Sequence, residues 1–200
     1  SPIALASLLA LAYGRFDQFY IRHYAAAETL GDYTLANRVV EPLLFVAAAL
    51  YSTIYARAST IVQHRADRTN LRHDILRWGR FMLAYALTAA VVAGGLAGLL
   101  LPRVFPSYTE ALPYLWIALA ALVFRCLNLC CTAFIQALGH YRLMLGVSIW
   151  NFCAILTLVF VLGSYWGAVG AAWAVAIGEI LNTVIQTTSL QRLIRKVQPS

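Results

Sequence analysis

The segment 81–101 (FMLAYALTAAVVAGGLAGLLL) is 21 residues long and contains no charged side chain. As an α-helix it would extend about 30 Å, which is the thickness of the hydrocarbon core of a bilayer. A second uncharged segment covers 143–163. Helices that are apolar on all sides are typical of membrane spans. The chain is only 12% charged, against about 25% in soluble domains, so the sequence predicts a membrane protein.

The hydropathy pattern predicts an all-α fold, a polytopic membrane bundle of about six transmembrane helices. Their expected ranges are 3–24, 33–62, 78–101, 111–138, 143–162 and 167–190. Small residues recur at helical spacing at Gly94 and Gly98, and again at Gly170, Ala174 and Gly178. Such stripes let helices pack closely in lipid, so we expect a packed bundle. Because the chain opens inside hydrophobic sequence without a Met, we expect a piece of a longer protein.

The distribution of lysine and arginine predicts the orientation in the membrane. Connections between successive spans lie on alternate sides of the membrane. Ten basic residues fall in the connections and the tail on one side, whereas the other side has Arg22 and Arg103. The ten are Arg57, Arg65, Arg68, Arg72, Arg77, Arg80, Arg142, Arg192, Arg195 and Lys196. The positive-inside rule therefore places both termini and the basic connection 63–77 in the cytoplasm. Nucleic acid or a specific anionic lipid is the alternative role of that connection; we expect contact with membrane lipids and no nucleic acid.

Several charged residues lie inside the expected spans. Among them are Arg15, Asp17, Arg38, Glu41, Arg125 and Glu179. A charged side chain at the centre of a membrane helix costs roughly 2.5–3.5 kcal/mol. We therefore expect these residues to have partners, a water-filled cavity or a charged ligand, and they are the candidate substrate-binding residues.

Sequence spacing limits how these charges can meet. Arg38 and Glu41 are three residues apart, share a helix face and can pair. Pro42 follows them, so a kinked, moving helix and a static salt bridge are both open readings. Arg15 and Asp17 are two residues apart and point to nearly opposite sides of a helix, unless the helix breaks nearby.

Arginines on the first and fourth spans form a candidate cationic groove. Arg15 and Arg22 are seven residues apart and share a helix face, and Arg125 lies near the middle of the fourth span. The planar guanidinium group suits phosphate oxygens. In the alternative reading, Arg22 reaches the membrane interface and Arg15 pairs with a carboxylate such as Glu179.

Uncharged polar residues and cysteines receive a structural interpretation. We expect hydrogen bonds that hold helices together from Asn128, Gln136, Asn151, Asn182 and Gln186. We expect small buried side chains at Cys126, Cys130, Cys131 and Cys153, which lack ligands at metal-binding spacing. The chain contains no Walker loop, GxSxG, HExxH or dinucleotide-binding motif. We therefore expect no enzyme, no cofactor and no metal.

Two regions resemble a known family. The segment 31–38 (GDYTLANR) is similar to the G-x-Y-x-x-A-x-R entry to a helix in polysaccharide (O-antigen type) flippases. The segment 137–142 (ALGHYR), followed by Asn151 and by 167–172 (GAVGAA), resembles the C-terminal region of the same proteins. These flippases belong to the multidrug/oligosaccharidyl-lipid/polysaccharide exporter superfamily. A departure is that no proline stands at 55–58, where the family often has one.

The resemblance implies that residues 1–200 form the C-terminal lobe of a two-lobe transporter, with a missing N-terminal six-helix lobe as partner. The family moves polyprenyl-diphosphate-linked oligosaccharides across the bacterial inner membrane for polysaccharide and lipopolysaccharide synthesis. Its cavity arginines are thought to meet the diphosphate or acidic sugars. By position, the implied candidates are Arg15, Asp17, Arg38, Glu41 and Arg125.

Three other functions stay open from the sequence. A cation-coupled drug antiporter of the same superfamily would need an inward-facing carboxylate, either Asp17 or Glu179. A non-transporting membrane scaffold subunit would hold its charges in saturated ion pairs. An integral membrane enzyme is a weaker alternative, because no catalytic set of residues converges.

Overall fold

The computed structural model describes residues 2–63 and 68–196, and these form helices joined by short connections. The helices are α1 (Pro2–Tyr24), α2 (Ala27–Gln63), α3 (Arg68–Val104), α4 (Ala111–Ala137) and α5 (Tyr141–Lys196). A single 3₁₀ turn, Pro106–Tyr108, precedes α4. No strand occurs in the described ranges, which confirms the all-α prediction. Three of the ten basic residues that predict the orientation lie outside what the structure describes: Arg65 entirely, and Arg68 and Lys196 in their side chains.

The longest helix, α5, folds back on itself at Gly167. That residue has φ 58° and ψ −138°, a backbone conformation that favours glycine strongly over residues with a side chain. A Cβ atom added at Gly178 would lie 2.4 Å from Cγ1 of Ile155, although in a straight helix these residues would be about 35 Å apart. The helix therefore forms two antiparallel limbs, a first limb (141–166) and a second limb (168–196). The expected fifth and sixth spans fall on these limbs.

Glycines allow close packing between the two limbs of α5 and between α5 and α1. A Cβ atom added at Gly170 would lie 1.9 Å from the carbonyl oxygen of Leu162, and one added at Gly163 would lie 2.5 Å from the Tyr20 ring of α1. Neither position leaves room for a side chain. The predicted small-residue stripe at 170–178 thus lies at a helix contact. Of the other predicted pair, Gly94 also lies at a contact, because a Cβ atom added there would lie 2.6 Å from the Trp116 ring of α4, whereas one added at Gly98 would meet nothing within 4 Å.

Four helical segments of the described chain are long and apolar enough to cross a membrane. They are Ala27–Gln63, Leu71–Val104, Ala111–Ala137 and Tyr141–Arg195. By length and composition the chain is therefore a helical membrane protein. This criterion gives four spans rather than about six, because it takes the two limbs of α5 as one helix and does not include α1.

Helix α3 begins at Arg68, ten residues before the expected third span, so most of the basic connection 63–77 is helical in the structure. Leu71, Ile75 and Trp78 recur at intervals of four and three residues, which places them on one face of a helix. Leu71 is buried, and Ile75 and Trp78 pack against the core. This apolar face, together with the absence of glycine and proline from 68–77, explains why the helix continues beyond the uncharged segment.

Helix α4 is the centre of the bundle and packs against α2, α3 and α5, while α1 packs mainly on α5. Helix α3 is peripheral, and apolar side chains such as Val91 and Leu99 are exposed along it. A continuous exposed apolar surface of this kind suits contact with acyl chains rather than water. Helix α2 continues as one α-helix through Pro42, and α1 continues through Gly14.

Candidate functional site

A polar cavity of about 440 Å³ lies between α1, α2, α4 and both limbs of α5. Fifteen described residues line it, and ten of them are polar or charged. The polar lining comprises Tyr51, Arg125, Asn128, Thr132, Gln136, Ser148, Asn151, Glu179, Asn182 and Gln186. Ligand-binding cavities in proteins usually measure about 300–1,000 Å³, so this one has the size of a binding site for a small molecule.

Two facing helices supply most of the polar lining. On α4 it recurs at 125, 128, 132 and 136, and on the second limb of α5 at 179, 182 and 186. Intervals of three and four residues put each set on one face of its helix. The two faces meet directly, since the hydroxyl of Thr132 donates a hydrogen bond of 3.0 Å to Oε1 of Gln186.

An ion pair between α4 and α5 forms one wall of the cavity. Nε of Arg125 donates to Oε1 of Glu179 at 2.9 Å, and Nδ2 of Asn128 donates to Oε2 of Glu179 at 2.8 Å. The side chain of Glu179 is 4% exposed and that of Arg125 is 26% exposed. Both carboxylate oxygens of the buried Glu179 thus accept hydrogen bonds, and its negative charge is compensated by the guanidinium group of Arg125.

Side-chain amides and hydroxyls cover the rest of the polar surface. The hydroxyl of Tyr51 on α2 donates to Oε1 of Gln136 at 2.5 Å. Nε2 of Gln186 donates to Oδ1 of Asn182 at 3.1 Å. These groups are uncharged, and in the part of the chain that the structure describes the Arg125–Glu179 pair supplies all the charged lining residues.

One lining residue has a buried amide without hydrogen bonds. Asn151, on the first limb of α5, is 1% exposed, and neither Nδ2 nor Oδ1 has a hydrogen-bond partner in the described structure. Oδ1 of Asn128, which lines the cavity from α4, also lacks a hydrogen-bond partner. A buried polar group left unsatisfied costs about 1–3 kcal/mol, so these atoms need an explanation beyond helix packing.

The remaining charged candidates, Arg15, Asp17, Arg38 and Glu41, are not among the residues that line the cavity. Nη2 of Arg15 donates to Oε1 of Glu41 at 3.1 Å, joining α1 to α2, and neither residue lines the cavity. Glu41 therefore pairs with Arg15 rather than with Arg38, which is exposed. Arg22 is exposed as well. The arginine groove expected from sequence is not assembled, because Arg125 alone of its three members lines the cavity and it is paired with Glu179.

Asp17 is buried on the other side of α1 from Arg15, as their spacing predicts. Its Oδ2 accepts a hydrogen bond from the hydroxyl of Tyr33, whereas its Oδ1 has no hydrogen-bond partner. Tyr33 also lines a small void of about 20 Å³ that Arg125 borders from α4. Asp17 is thus close to the polar cavity but is not part of its lining.

The amides predicted to hold helices together make up half of the polar lining, and for Asn128, Gln136 and Gln186 hydrogen bonds between helices confirm that prediction. Asn128, Gln136, Asn151, Asn182 and Gln186 all line the cavity. The periodicity of the polar residues on α4 and on the second limb of α5 was the sequence signal for it. Among the described residues no group of three His, Cys, Asp or Glu side chains could hold a metal ion. The four cysteines are free thiols; Cys126 and Cys130 are buried as predicted, Cys131 is partly buried, and the prediction is wrong for Cys153, which is exposed.

Comparison of the chain with protein-family models, with curated proteins and with solved structures gives no match to any of them.

Proposed function

We propose that this chain is one lobe of a transporter that flips a lipid-diphosphate-linked oligosaccharide across the bacterial inner membrane for polysaccharide export. The observation that carries the proposal is the polar cavity of about 440 Å³ inside a bundle of membrane-spanning helices. Polar groups are rare in membrane spans and generally face bundle interiors or water-filled pathways. A bundle that served only as an anchor would have no need of ten polar lining residues.

In this proposal the chain spans the membrane about six times, counting α1 and each limb of α5. Both termini are cytoplasmic, and a second six-helix lobe completes the transporter. The sugar part of the substrate enters the polar cavity while the prenyl chain stays in lipid. Rocking of the two lobes then exposes the cavity to each side of the membrane in turn. Neither a cofactor nor a metal is required, and the chain is not an enzyme.

Filling the cavity tests the proposal. Ser148 lines the cavity, and Ser148→Trp would place a large ring inside it. Thr157 lies on the same limb of α5 but is exposed, with its hydroxyl bonded to the carbonyl of Cys153 in its own helix. We expect S148W to stop export of surface polysaccharide and to leave lipid-linked precursor in the cytoplasmic leaflet, while T157W exports normally. Normal export by a membrane-inserted S148W protein would contradict the proposal.

A second candidate is the cation-coupled drug antiporter, which is favoured by the carboxylate of Glu179 in the cavity lining. Efflux of organic cations driven by a pH gradient, and lost in Glu179→Gln, would support this function over glycan flipping. The scaffold alternative is favoured by the pairing of Arg15 with Glu41 and of Arg125 with Glu179. Unchanged export after neutralising both members of each pair would support the scaffold.

A further inference from the structure

The charge balance of the cavity limits what it can bind. Among the described residues that line it, only Arg125 and Glu179 are charged, and they are held 2.9 Å apart. Their charges cancel, so the cavity as a whole is close to neutral. A diphosphate brought into it would meet the buried carboxylate as well as the guanidinium group, and like charges repel strongly where the dielectric constant is low. The cavity is therefore poorly suited to an anionic group.

The unsatisfied amides show what the cavity can bind instead. Asn151 offers two N–H donors and one acceptor, and Oδ1 of Asn128 offers a further acceptor. A sugar hydroxyl donates one hydrogen bond and accepts others, so it matches such a mixed set. The hydroxyl of Ser148 lies three residues before Asn151 and lines the same cavity. Adjacent donors and acceptors on one helix face fit neighbouring hydroxyl groups of a sugar ring.

We propose that the cavity binds uncharged sugar residues, that Asn151 and Asn128 are the amides that bind their hydroxyl groups, and that the diphosphate of the substrate stays outside the cavity. The assignment of these sugars to a transported glycan rests on the proposed function. The binding of neutral saccharide itself rests only on the neutral lining and on the three unsatisfied amide atoms.

Asn151→Leu tests the site, because leucine has nearly the same size and lacks both amide atoms. The probes are neutral methyl glycosides of glucose, galactose, mannose and N-acetylglucosamine, with inorganic pyrophosphate as the anionic probe. The protein is the purified full chain in detergent, and the readout is its unfolding temperature against probe concentration. We expect at least one glycoside to raise the unfolding temperature, and pyrophosphate to leave it unchanged.

In N151L we expect binding of that glycoside to weaken about tenfold, which corresponds to the loss of one or two neutral hydrogen bonds. N151L without ligand should unfold at a higher temperature than the parent chain, because an unsatisfied buried amide has been removed. Thr157→Val, on the exposed face of the same limb, should change neither quantity. If Asn151 had a purely structural role, N151L would instead unfold at a lower temperature than the parent chain.

Two results would overturn the inference. One is that no glycoside stabilises the chain, or that N151L binds the glycoside as well as the parent does. The other is stabilisation by pyrophosphate that N151L abolishes. These outcomes are separate from the export test: glycoside binding with normal export by S148W would refute the transport proposal alone, and blocked export without glycoside binding would refute this inference alone.

Discussion

Removing the guanidinium group of Arg125 should destabilise the folded chain strongly. Arg125→Met keeps most of the side-chain volume but removes the cationic partner of Glu179. The side chain of Glu179 is only 4% exposed, so its carboxylate would be left buried without a compensating charge. Breaking a buried ion pair from one side costs about 3–5 kcal/mol. Asn128 would still donate to Oε2 of Glu179, so we expect a loss near the lower end of this range.

A double-mutant cycle separates the ion pair from the packing of the two side chains. Glu179→Gln alone leaves Arg125 without its carboxylate, whereas the combined change R125M/E179Q leaves no charge in the cavity. Replacing a buried pair by neutral groups is often neutral or even stabilising. The double variant should therefore be more stable than R125M, with a coupling energy of at least about 2 kcal/mol. Unfolding of purified protein in mixed detergent micelles would measure each free energy.

The pair between Arg15 and Glu41 is the matched control. It also joins two helices, at 3.1 Å, but its side chains are 66% and 40% exposed. Exposed ion pairs contribute about 0–1 kcal/mol, so the same cycle with R15M and E41Q should give a coupling energy within that range. A cost below about 1 kcal/mol for R125M, or equal coupling energies in the two cycles, would refute the view that Glu179 is buried and charged.

Two further predictions concern packing and buried polarity. Gly170→Ala would place a Cβ atom 1.9 Å from the backbone oxygen of Leu162 and should lower the free energy of unfolding by about 1–3 kcal/mol. Gly98→Ala would meet nothing within 4 Å and should be tolerated. Size-exclusion profiles in detergent after heating would compare the two variants, and equal tolerance would contradict the close packing of α5. Tyr33→Phe removes the hydroxyl that donates to the buried Asp17 and should cost about 1–3 kcal/mol; an unchanged unfolding temperature would show that Asp17 has another donor.

The helices could largely be predicted from the sequence because uncharged segments of about 20 residues have few alternatives to a membrane helix. The fold-back of α5 occurs at Gly167, the first residue of the expected sixth span, whose φ is 58°. The sequence predicts the third span to begin at residue 78, whereas α3 begins at Arg68. The apolar face of Leu71, Ile75 and Trp78 is interspersed with basic residues, so that the segment does not look like a membrane span. That face has the period of an amphipathic helix rather than the uniform hydrophobicity of a span.

The partners of the charged residues could not be predicted in the same way. Arg125 and Glu179 are 54 residues apart, and Arg15 and Glu41 are 26 residues apart. Sequence spacing predicts contacts within one helix, but these pairs depend on how separate helices pack. The cavity was within reach of the sequence, since its polar residues form stripes along α4 and α5. Interpreted one by one they looked like packing contacts, and only their common face indicates a site.

The measurement that tests the account most directly is modification of the cavity during export. Ser148→Cys would place a thiol in the cavity lining, while the native Cys153, on the same limb, is exposed on the outside of the bundle. We predict that a charged, water-soluble thiol reagent labels S148C in intact membranes well above the parent chain and that export falls as labelling proceeds. Labelling of S148C no greater than that of the parent, or undiminished export after complete labelling, would contradict the claim that this cavity is the path of the substrate.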